Sequence, residues 1–152
     1  MVQRFIKVVA VGFGSGLAPM APGTAGTLVG IPLYLLFSLF PWPLYVLSVV
    51  TLFFLAVFVS QEAEKLFEEK DPSRVVIDEI MGFQCTMFLV APTVAHIVLG
   101  FVLFRIFDIT KPFPIRWCEK RLPGGYGVVG DDVVAGIYGY GILQIIIAMT
   151  GV

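Results

Sequence analysis

Residues Leu44 to Val59 read LYVLSVVTLFFLAVFV, a run of sixteen residues without a charged side chain. A hydrophobic run of about this length is a candidate for a helix that crosses a lipid bilayer. The rest of the chain has the same character: 58% of its 152 residues are apolar, 14% are charged, and its mean hydropathy is +0.93. These values are unusual for a water-soluble domain and indicate a membrane protein.

Four more apolar runs lie at Ala25 to Phe40, Ile80 to Val90, Val94 to Phe107 and Val133 to Val152. Several are shorter than the roughly 20 residues that a perpendicular helix needs, so some must extend into their flanks or cross a thinned bilayer. We therefore predict an all-α fold with one membrane-embedded domain over residues 1–152. It would be a bundle of about five transmembrane or membrane-embedded helices.

The basic residues predict how the chain crosses the membrane, because Lys and Arg in short loops stay preferentially on the cytoplasmic side. The turns at residues 41–43 and 91–93 carry no charge. All ten basic residues fall on the other side, in three groups: Arg4 and Lys7; Lys65, Lys70 and Arg74; and Arg105, Lys111, Arg116, Lys120 and Arg121. This pattern predicts a cytoplasmic N-terminus, five crossings and an external C-terminus.

The eleven acidic residues fall on the same side as the bases, although the charge rule does not require it. Five of them, Glu62, Glu64, Glu68, Glu69 and Asp71, lie among lysines between Gln61 and Arg74. We interpret that stretch as a solvated helical arm with ordinary surface charge, and we expect no chemistry from it.

Asp78 and Glu79 interrupt an apolar stretch that runs from Val75 to Gly82. Ionisable groups at such a position cost several kcal/mol unless they have a partner, so they indicate a functional site. Asp78 alone could cap the third helix by accepting hydrogen bonds from the amides of its first turn. A cap explains one carboxylate and leaves the other unexplained.

Asp108 ends the fourth apolar run, and Pro112 makes a longer helix unfavourable. A carboxylate at a helix C-terminus is on the unfavourable end of the helix dipole, so a positive group is expected beside it. Arg105, Lys111 or a metal ion could serve. The alternative is a surface ion pair between Arg105 and Asp108, which would contribute little energy.

Asp131 and Asp132 stand before the fifth apolar run, after a flexible glycine-rich stretch. Two adjacent carboxylates at a low-dielectric boundary either keep a proton on one of them or attract a cation. An N-cap with a solvated neighbour is the alternative. The predicted topology places these two residues at the same depth as Asp78, Glu79 and Asp108, where helix packing could bring all five carboxylates together.

Clustered carboxylate oxygens suit a hard divalent cation, and Mg²⁺ is the usual choice where phosphate is also bound. Zinc is disfavoured, because Cys85 and Cys118 lack ligand spacing and His96, the single histidine, belongs near the opposite face. A basic rim surrounds Asp108, formed by Lys111, Arg116, Lys120 and Arg121. This rim favours an anionic phosphate ester as the ligand. Alternatively, it only fixes the topology and holds anionic lipid.

The N-terminal region is rich in Gly and Pro, from Gly12 to Thr27. We do not expect it to be a removable signal, because its apolar part is short and broken by glycine. It also lacks the nucleotide-binding glycine patterns. The amides and hydroxyls at Thr24 and Thr27 could hold an anion where the first span begins. Glycine packing between helices is an equally good interpretation.

Together these motifs resemble the phosphatidylglycerophosphatase A family, bacterial membrane lipid phosphatases. The resemblance rests on five separated stretches in the right order: Gly12–Gly16, Ala21–Leu28, Val76–Glu79, Phe104–Pro112 and Gly124–Asp132. It implies Mg²⁺-dependent removal of the terminal phosphate of phosphatidylglycerophosphate, giving phosphatidylglycerol. It also implies a multi-pass protein of the bacterial inner membrane with its site on the cytoplasmic face, whose partners are lipids and not nucleic acid.

The resulting hypothesis is that five carboxylates share the coordination of the metal ion and the role of general base: Asp78, Glu79, Asp108, Asp131 and Asp132. Thr24, Thr27, Arg105 and Lys111 would bind the substrate phosphate. Either water attacks the phosphorus directly or Asp108 acts as a nucleophile. The alternative function is a cation-coupled membrane transporter of a small anion, which would place its acids near the bilayer midplane.

Overall fold

The structure, a computed structural model, describes residues 1–151, except for the side chains of residues 119 and 120. That range contains helices and no strand. The α-helices are α1 (Val2–Ala10), α2 (Pro22–Ser38), α3 (Trp42–Phe67), α4 (Ile77–Thr86), α5 (Val94–Thr110), α6 (Ile115–Arg121) and α7 (Gly125–Thr150), and a 3₁₀ segment, Gly12–Leu17, follows α1. The all-α prediction is confirmed, and α2, α3, α5 and α7 contain most of four predicted runs.

Local sequence explains where these helices begin. Pro22 occupies the first turn of α2, and α3 follows Pro41 and has a proline in its first turn, where the missing amide proton carries no penalty. Thr93 caps α5, and its hydroxyl oxygen accepts a hydrogen bond from the His96 amide at 3.1 Å. His96 therefore lies at the N-terminal end of α5, where its Nδ1 is 2.8 Å from the Ala91 carbonyl oxygen.

Two helices in the described range, α3 and α7, are long and apolar enough to cross a membrane. This is weak evidence by itself, because the core helix of a soluble protein meets the same test. The exposed surface provides a second argument: Leu47, Phe54 and Phe58 lie on one face of α3 and are each more than half exposed. Contiguous apolar surface of this kind is unusual on a soluble monomer and favours a lipid environment.

The third predicted span does not form a helix of span length. Helix α4 has ten residues and rises about 15 Å, roughly half of the hydrocarbon thickness. Most of it is buried against α2, α3, α5 and α7, so its apolar sequence reflects burial in the protein rather than contact with lipid. The count of five spanning helices is therefore not confirmed.

Tyrosine hydroxyls satisfy the backbone where α4 ends inside the bundle. The Tyr34 hydroxyl donates to the Val90 carbonyl oxygen at 2.7 Å, and the Tyr45 hydroxyl donates to the Met87 carbonyl oxygen at 3.3 Å. Both tyrosines are buried. Non-helical backbone inside a membrane protein is tolerated where protein groups supply such partners.

Helices α2, α4 and α7 run parallel to one another. Beside Gly82 of α4 lies the carbonyl of Asp132, and one turn further on the Thr86 hydroxyl donates to the Gly136 carbonyl oxygen at 3.3 Å. Along α2, Gly23 lies beside Glu79, whereas Tyr34 reaches Val90. The N-termini of these three helices therefore meet at one end of the bundle.

Helix α5 runs in the opposite direction. Its Phe104 contacts Gly139 of α7, and its Gly100 lies beside Leu143. The C-terminal end of α5 therefore reaches the same end of the bundle as the N-termini of α4 and α7. This arrangement brings distant acidic stretches of the sequence together.

The α4–α7 contact depends on glycine at the crossing. A Cβ at Gly136 would overlap the Gly82 carbonyl oxygen and lie 2.8 Å from the Cys85 Cβ. A methyl group there must push two backbones apart, so we expect Gly136→Ala to lower the melting temperature in detergent by about 5 °C. Gly141→Ala in the same helix is the control, because a Cβ there meets nothing within 4 Å and alanine favours the helix. Equal melting temperatures for the two variants would contradict this account.

Candidate active site

Three carboxylates from two parallel helices converge at the end of the bundle. Asp78 and Glu79 lie in the first turn of α4, and Asp132 lies in the second turn of α7. Each offers an oxygen within 4.8 Å of those of the other two. Helices α4 and α7 approach closely at Gly82 and Gly136. Asp78 and Asp132 lie one helical turn before these glycines, so the close approach places the two carboxylates opposite each other.

Helix capping does not explain these carboxylates. Helix α4 is capped by Val76 without a side-chain hydrogen bond, so Asp78 does not have the capping role that the sequence allowed. The prediction that Asp131 and Asp132 open the last helix is wrong, because α7 begins at Gly125 and includes both. The helix begins earlier because Gly125 packs against the carbonyl of Val57 in α3, where a Cβ would overlap that oxygen.

The three-carboxylate group contains unsatisfied oxygens. Oδ1 of Asp78 and Oε2 of Glu79 are buried and have no hydrogen-bond partner among the described residues. Asp78 is 6% exposed and Asp132 is 4% exposed. Buried carboxylates that lack donors are strongly destabilising unless they are protonated or bind a cation. Three carboxylate oxygens at this separation are a donor set that suits Mg²⁺.

Asp131 is held differently from its neighbour. Its Oδ2 accepts a hydrogen bond from the Lys111 ammonium group at 2.6 Å, and its Oδ1 accepts one from the Asp132 amide at 3.0 Å. Asp131 is not part of the three-carboxylate group. Successive residues of a helix point about 100° apart, which directs Asp132 towards α4 and Asp131 towards Lys111 at the end of α5.

Arg105 and Asp108 form an ion pair one turn apart on α5. Their side chains are only 14% and 13% exposed, so this is a largely buried pair and not the surface pair that the sequence left open. Arg105 Nε has no hydrogen-bond partner among the described residues. A Cβ at Gly23 would overlap Glu79 Oε1 and lie 3.1 Å from Arg105 Nη1, so both side chains fill the space beside that glycine.

One cavity of about 420 Å³ connects these groups. Its wall includes all five predicted carboxylates, Asp78, Glu79, Asp108, Asp131 and Asp132, together with both predicted phosphate-binding cations, Arg105 and Lys111. Ala21, Pro22 and Gly23 at the N-terminus of α2 complete one side. The cavity thus combines an anionic group of metal-ligand type with two cations.

The two threonines predicted to bind phosphate lie elsewhere. Thr27 is fully buried, and its hydroxyl donates to the Gly23 carbonyl oxygen at 2.9 Å. Thr24 is half-buried and is not part of the cavity wall. Gly26 and Gly30 pack against Val76 and Phe83 of α4, as expected if these glycines serve helix packing.

Other members of the predicted basic rim are not on the cavity wall. Arg116 donates to the Thr110 carbonyl oxygen at 3.4 Å, and neither it nor Arg121 lines the cavity. The side chain of Lys120 lies outside the described residues. Within the described part of the wall, the cations are Arg105 and Lys111.

Sequence reasoning missed Asp71 and Ser73, which line the cavity although their stretch was interpreted as ordinary surface. Asp71 has a left-handed backbone, with φ of 48°, and its amide donates to Glu64 Oε1 at 2.9 Å. This turn brings the chain back over the site before α4 begins. The surrounding charges do behave as predicted: Lys65–Glu62 and Arg74–Glu69 are exposed ion pairs, each at 2.6 Å.

The sequence of the chain matches known proteins over most of its length. The family model described as "Phosphatidylglycerophosphatase A" matches residues 8–147. Phosphatidylglycerophosphatase A of Escherichia coli (strain K12) is 41% identical over 91% of this chain and 81% of its own length. The protein of the same name from Haemophilus influenzae is 38% identical over 88% of this chain and 83% of its own.

A relative from Bacteroides thetaiotaomicron, named "Putative phosphatidylinositol-3-phosphatase", is 40% identical over 88% of this chain and 87% of its own length. No solved structure matches the chain. The relatives named phosphatidylglycerophosphatase A and the family model agree with the resemblance found in the separated sequence motifs. The chain is a phosphatase that belongs to the phosphatidylglycerophosphatase A family.

Proposed function

We propose that this protein hydrolyses the terminal phosphomonoester of phosphatidylglycerophosphate, with Mg²⁺, to give phosphatidylglycerol and inorganic phosphate. The observation that carries the proposal is one cavity in which three converging carboxylates lie beside Arg105 and Lys111. A divalent cation and two basic side chains together match the charge of a phosphate monoester. The family assignment supplies the lipid.

Asp78, Glu79 and Asp132 would hold the metal ion, because one oxygen of each converges and because Asp78 Oδ1 and Glu79 Oε2 have no hydrogen-bond partner in the described chain. A bound Mg²⁺ supplies charge neutralisation for phosphoryl oxygens. Glycine at position 23 leaves room for Glu79 to reach this position.

Arg105 and Lys111 would bind the phosphate. The planar guanidinium of Arg105 donates in a fork that matches two phosphate oxygens, and its Nε has no other partner in the described part of the chain. Lys111 approaches as a point charge, oriented by Asp131. Phosphate binding would compete with Asp108 for Arg105 and so release the Asp108 carboxylate.

The released carboxylate gives Asp108 a role in proton transfer. It lines the cavity next to Asp132, where it can accept a proton from the attacking water and pass it to the glycerol oxygen as the bond between that oxygen and phosphorus breaks. The second route makes Asp108 the nucleophile, with an aspartyl-phosphate that water then hydrolyses. Rapid acid quenching with ³²P-labelled substrate separates the two routes, because only the second leaves label on the protein.

The site is proposed to face the cytoplasm at the bacterial inner membrane. Helices α3 and α7 and the exposed apolar surface support membrane insertion. The end of the bundle that holds the cavity also carries Lys70, Arg105 and Lys111, as expected for a cytoplasmic end. A transporter is not favoured, because its acids would lie near the midplane. Here Asp78 and Glu79 lie in the first turn of α4, Asp108 lies in the last turn of α5, and Asp132 lies in the second turn of α7.

The function is tested by phosphate release from purified protein in detergent micelles with Mg²⁺. The panel contains phosphatidylglycerophosphate, phosphatidylinositol 3-phosphate, phosphatidic acid and soluble glycerol 3-phosphate. We expect phosphatidylglycerophosphate to give the highest kcat/KM. Preference for phosphatidylinositol 3-phosphate would instead assign the chain to the activity in the name of the Bacteroides relative. Release from none of the lipids would refute the proposal.

Asp131 is expected to act through Lys111 rather than through the metal. Asp131→Asn weakens the hold on the Lys111 ammonium group, so KM should rise about tenfold while kcat changes little. Metal affinity should stay within about twofold, because Asp131 lies outside the three-carboxylate group. The two constants are measured by steady-state kinetics and by Mn²⁺ binding followed with electron paramagnetic resonance. A large loss of Mn²⁺ affinity would make Asp131 a metal ligand.

A further inference from the structure

One wall of the cavity carries an exposed apolar side chain. Among the described residues that line it, Ile109 is the large apolar side chain that is exposed, with 68% of its surface accessible. Val75 and Val128 also line the cavity but are buried. Ile109 lies one turn after Arg105 on α5, so the apolar exit from the cavity begins beside the proposed phosphate-binding guanidinium.

From Ile109 an exposed apolar strip continues along α5. Val102 and Val98 are 47% and 55% exposed, and the spacings of seven and four residues place all three side chains on one helix face. The strip is about 17 Å long, from the helical rise over eleven residues. One leaflet of hydrocarbon is about 15 Å deep, so the strip reaches as far as an acyl chain does.

Helix α2 forms the other side of this strip. Its Ile31 packs in the same apolar cluster as Phe101 of α5, and Leu28 and Leu35, one turn before and after Ile31, remain exposed. The two helices touch only sparingly, whereas each packs on α4. They therefore form an open seam above α4, with Gly23 and Arg105 at its cavity end.

We propose that the α2–α5 seam is the path by which the lipid substrate reaches the cavity. One acyl chain would lie on Ile109, Val102 and Val98 while the terminal phosphate contacts Arg105. This inference rests on the proposed function. It adds the path that the lipid takes to the cavity and the residues that its acyl chain contacts. Burial of acyl methylenes on this strip contributes binding energy that a short-chain or soluble phosphate ester cannot gain.

A second apolar groove is less suited to this role. It lies between α1, α2, α3 and α4 and has a volume of about 530 Å³, and its lining includes Phe13, Leu33 and Ile80. None of its lining residues also lines the active-site cavity. A tail in that groove would therefore lie on a different surface from the one that the cavity opens to.

The test compares chain-length dependence in two variants with matched exposure. Val98→Trp blocks the far end of the strip, and Ile145→Trp adds the same side chain to α7, where Ile145 is 54% exposed. For dipalmitoyl phosphatidylglycerophosphate, we expect Val98→Trp to lower kcat/KM about tenfold and Ile145→Trp to change it less than about twofold. Both variants should hydrolyse the dihexanoyl substrate like wild type, because its chains end before Val98.

Photolabelling supplies a readout that is independent of turnover. A phosphatidylglycerophosphate with a diazirine near the end of its acyl chain should label peptides of α2 and α5 more than those of α3 and α7. Equal kinetics of Val98→Trp and Ile145→Trp on the dipalmitoyl substrate, or even labelling of all four helices, would overturn the seam proposal. The proposed function would survive that result, and it fails separately if wild-type protein hydrolyses neither substrate.

Discussion

Asp132→Asn is expected to lower kcat by about 10³-fold or more, because the substitution removes one charge from the three carboxylates that would hold the metal ion. Asp78→Asn should have an effect of the same order, since Asp78 is equally buried and its Oδ1 has no other partner in the described chain. Asparagine keeps the shape of aspartate, so the loss should not come from packing.

The control for this prediction is Glu69→Gln. Glu69 is an exposed carboxylate in an ion pair with Arg74, outside the cavity, so its loss should leave kcat unchanged within about twofold. Circular dichroism and thermal unfolding check that the Asp132→Asn and Asp78→Asn proteins are folded. If either folded variant keeps turnover within a few fold of wild type, the metal-binding assignment of that residue is wrong.

Removal of divalent metal is expected to abolish turnover, because the phosphoryl charge would then face three carboxylates with only Arg105 and Lys111 to offset them. Dialysis against a chelator should reduce phosphate release by more than about 10³-fold, and added Mg²⁺ should restore it. Zn²⁺ should restore it poorly, because the converging donors are carboxylates without histidine or cysteine in the described group.

Metal binding has a readout of its own. Mn²⁺ titration followed by electron paramagnetic resonance should show one site in wild-type protein, with affinity reduced about 100-fold in Asp132→Asn and unchanged in Glu69→Gln. Full turnover after exhaustive chelation would contradict metal dependence. It would then require Arg105 and Lys111 alone to neutralise the phosphate.

Much of the architecture could be predicted because it depends on local patterns. The apolar runs and the Pro and Thr residues before them locate α2, α3 and α5 closely. The neutral and charged turns predict that α3 and α5 both run opposite to α2. In the structure α5 does so, and α3 also runs antiparallel to α7, because Gln61 lies beside Gly124 whereas Phe53 lies beside Tyr126. Asp78 and Glu79 can be predicted as site residues because two ionisable groups interrupt an apolar run. That pattern indicates a functional site whatever the fold is.

The start of α7 could not be predicted, because glycine favours flexible loops in isolation but also occurs in helices where another backbone packs closely. The stretch from Gly124 to Gly130 looks like a flexible loop by propensity. In the structure most of it is the first turns of a helix, where Gly125 permits contact with the backbone of α3. Tertiary packing overrides local preference there, and the error moved Asp131 and Asp132 from inside a helix to its edge.

The sequence also does not indicate which carboxylates converge and which one contacts Lys111. Asp131 and Asp132 are adjacent and chemically identical, and only the rotation of α7 decides that one faces Lys111 and the other faces α4. The position of Asp71 could not be predicted for a related reason. Asp71 lies on the cavity wall because the backbone there makes a left-handed turn, and a stretch of alternating surface charges does not indicate such a turn.

The two tyrosines at the end of α4 have a consequence for where water enters the protein and where phosphate leaves it. Tyr34 and Tyr45 close the bundle core where the helix stops, so that the core there is filled by aromatic side chains. Water and released phosphate would therefore enter and leave through the same mouth. An enzyme built in this way returns its product to the compartment that supplied the water, and its turnover should be insensitive to a voltage or proton gradient across the bilayer.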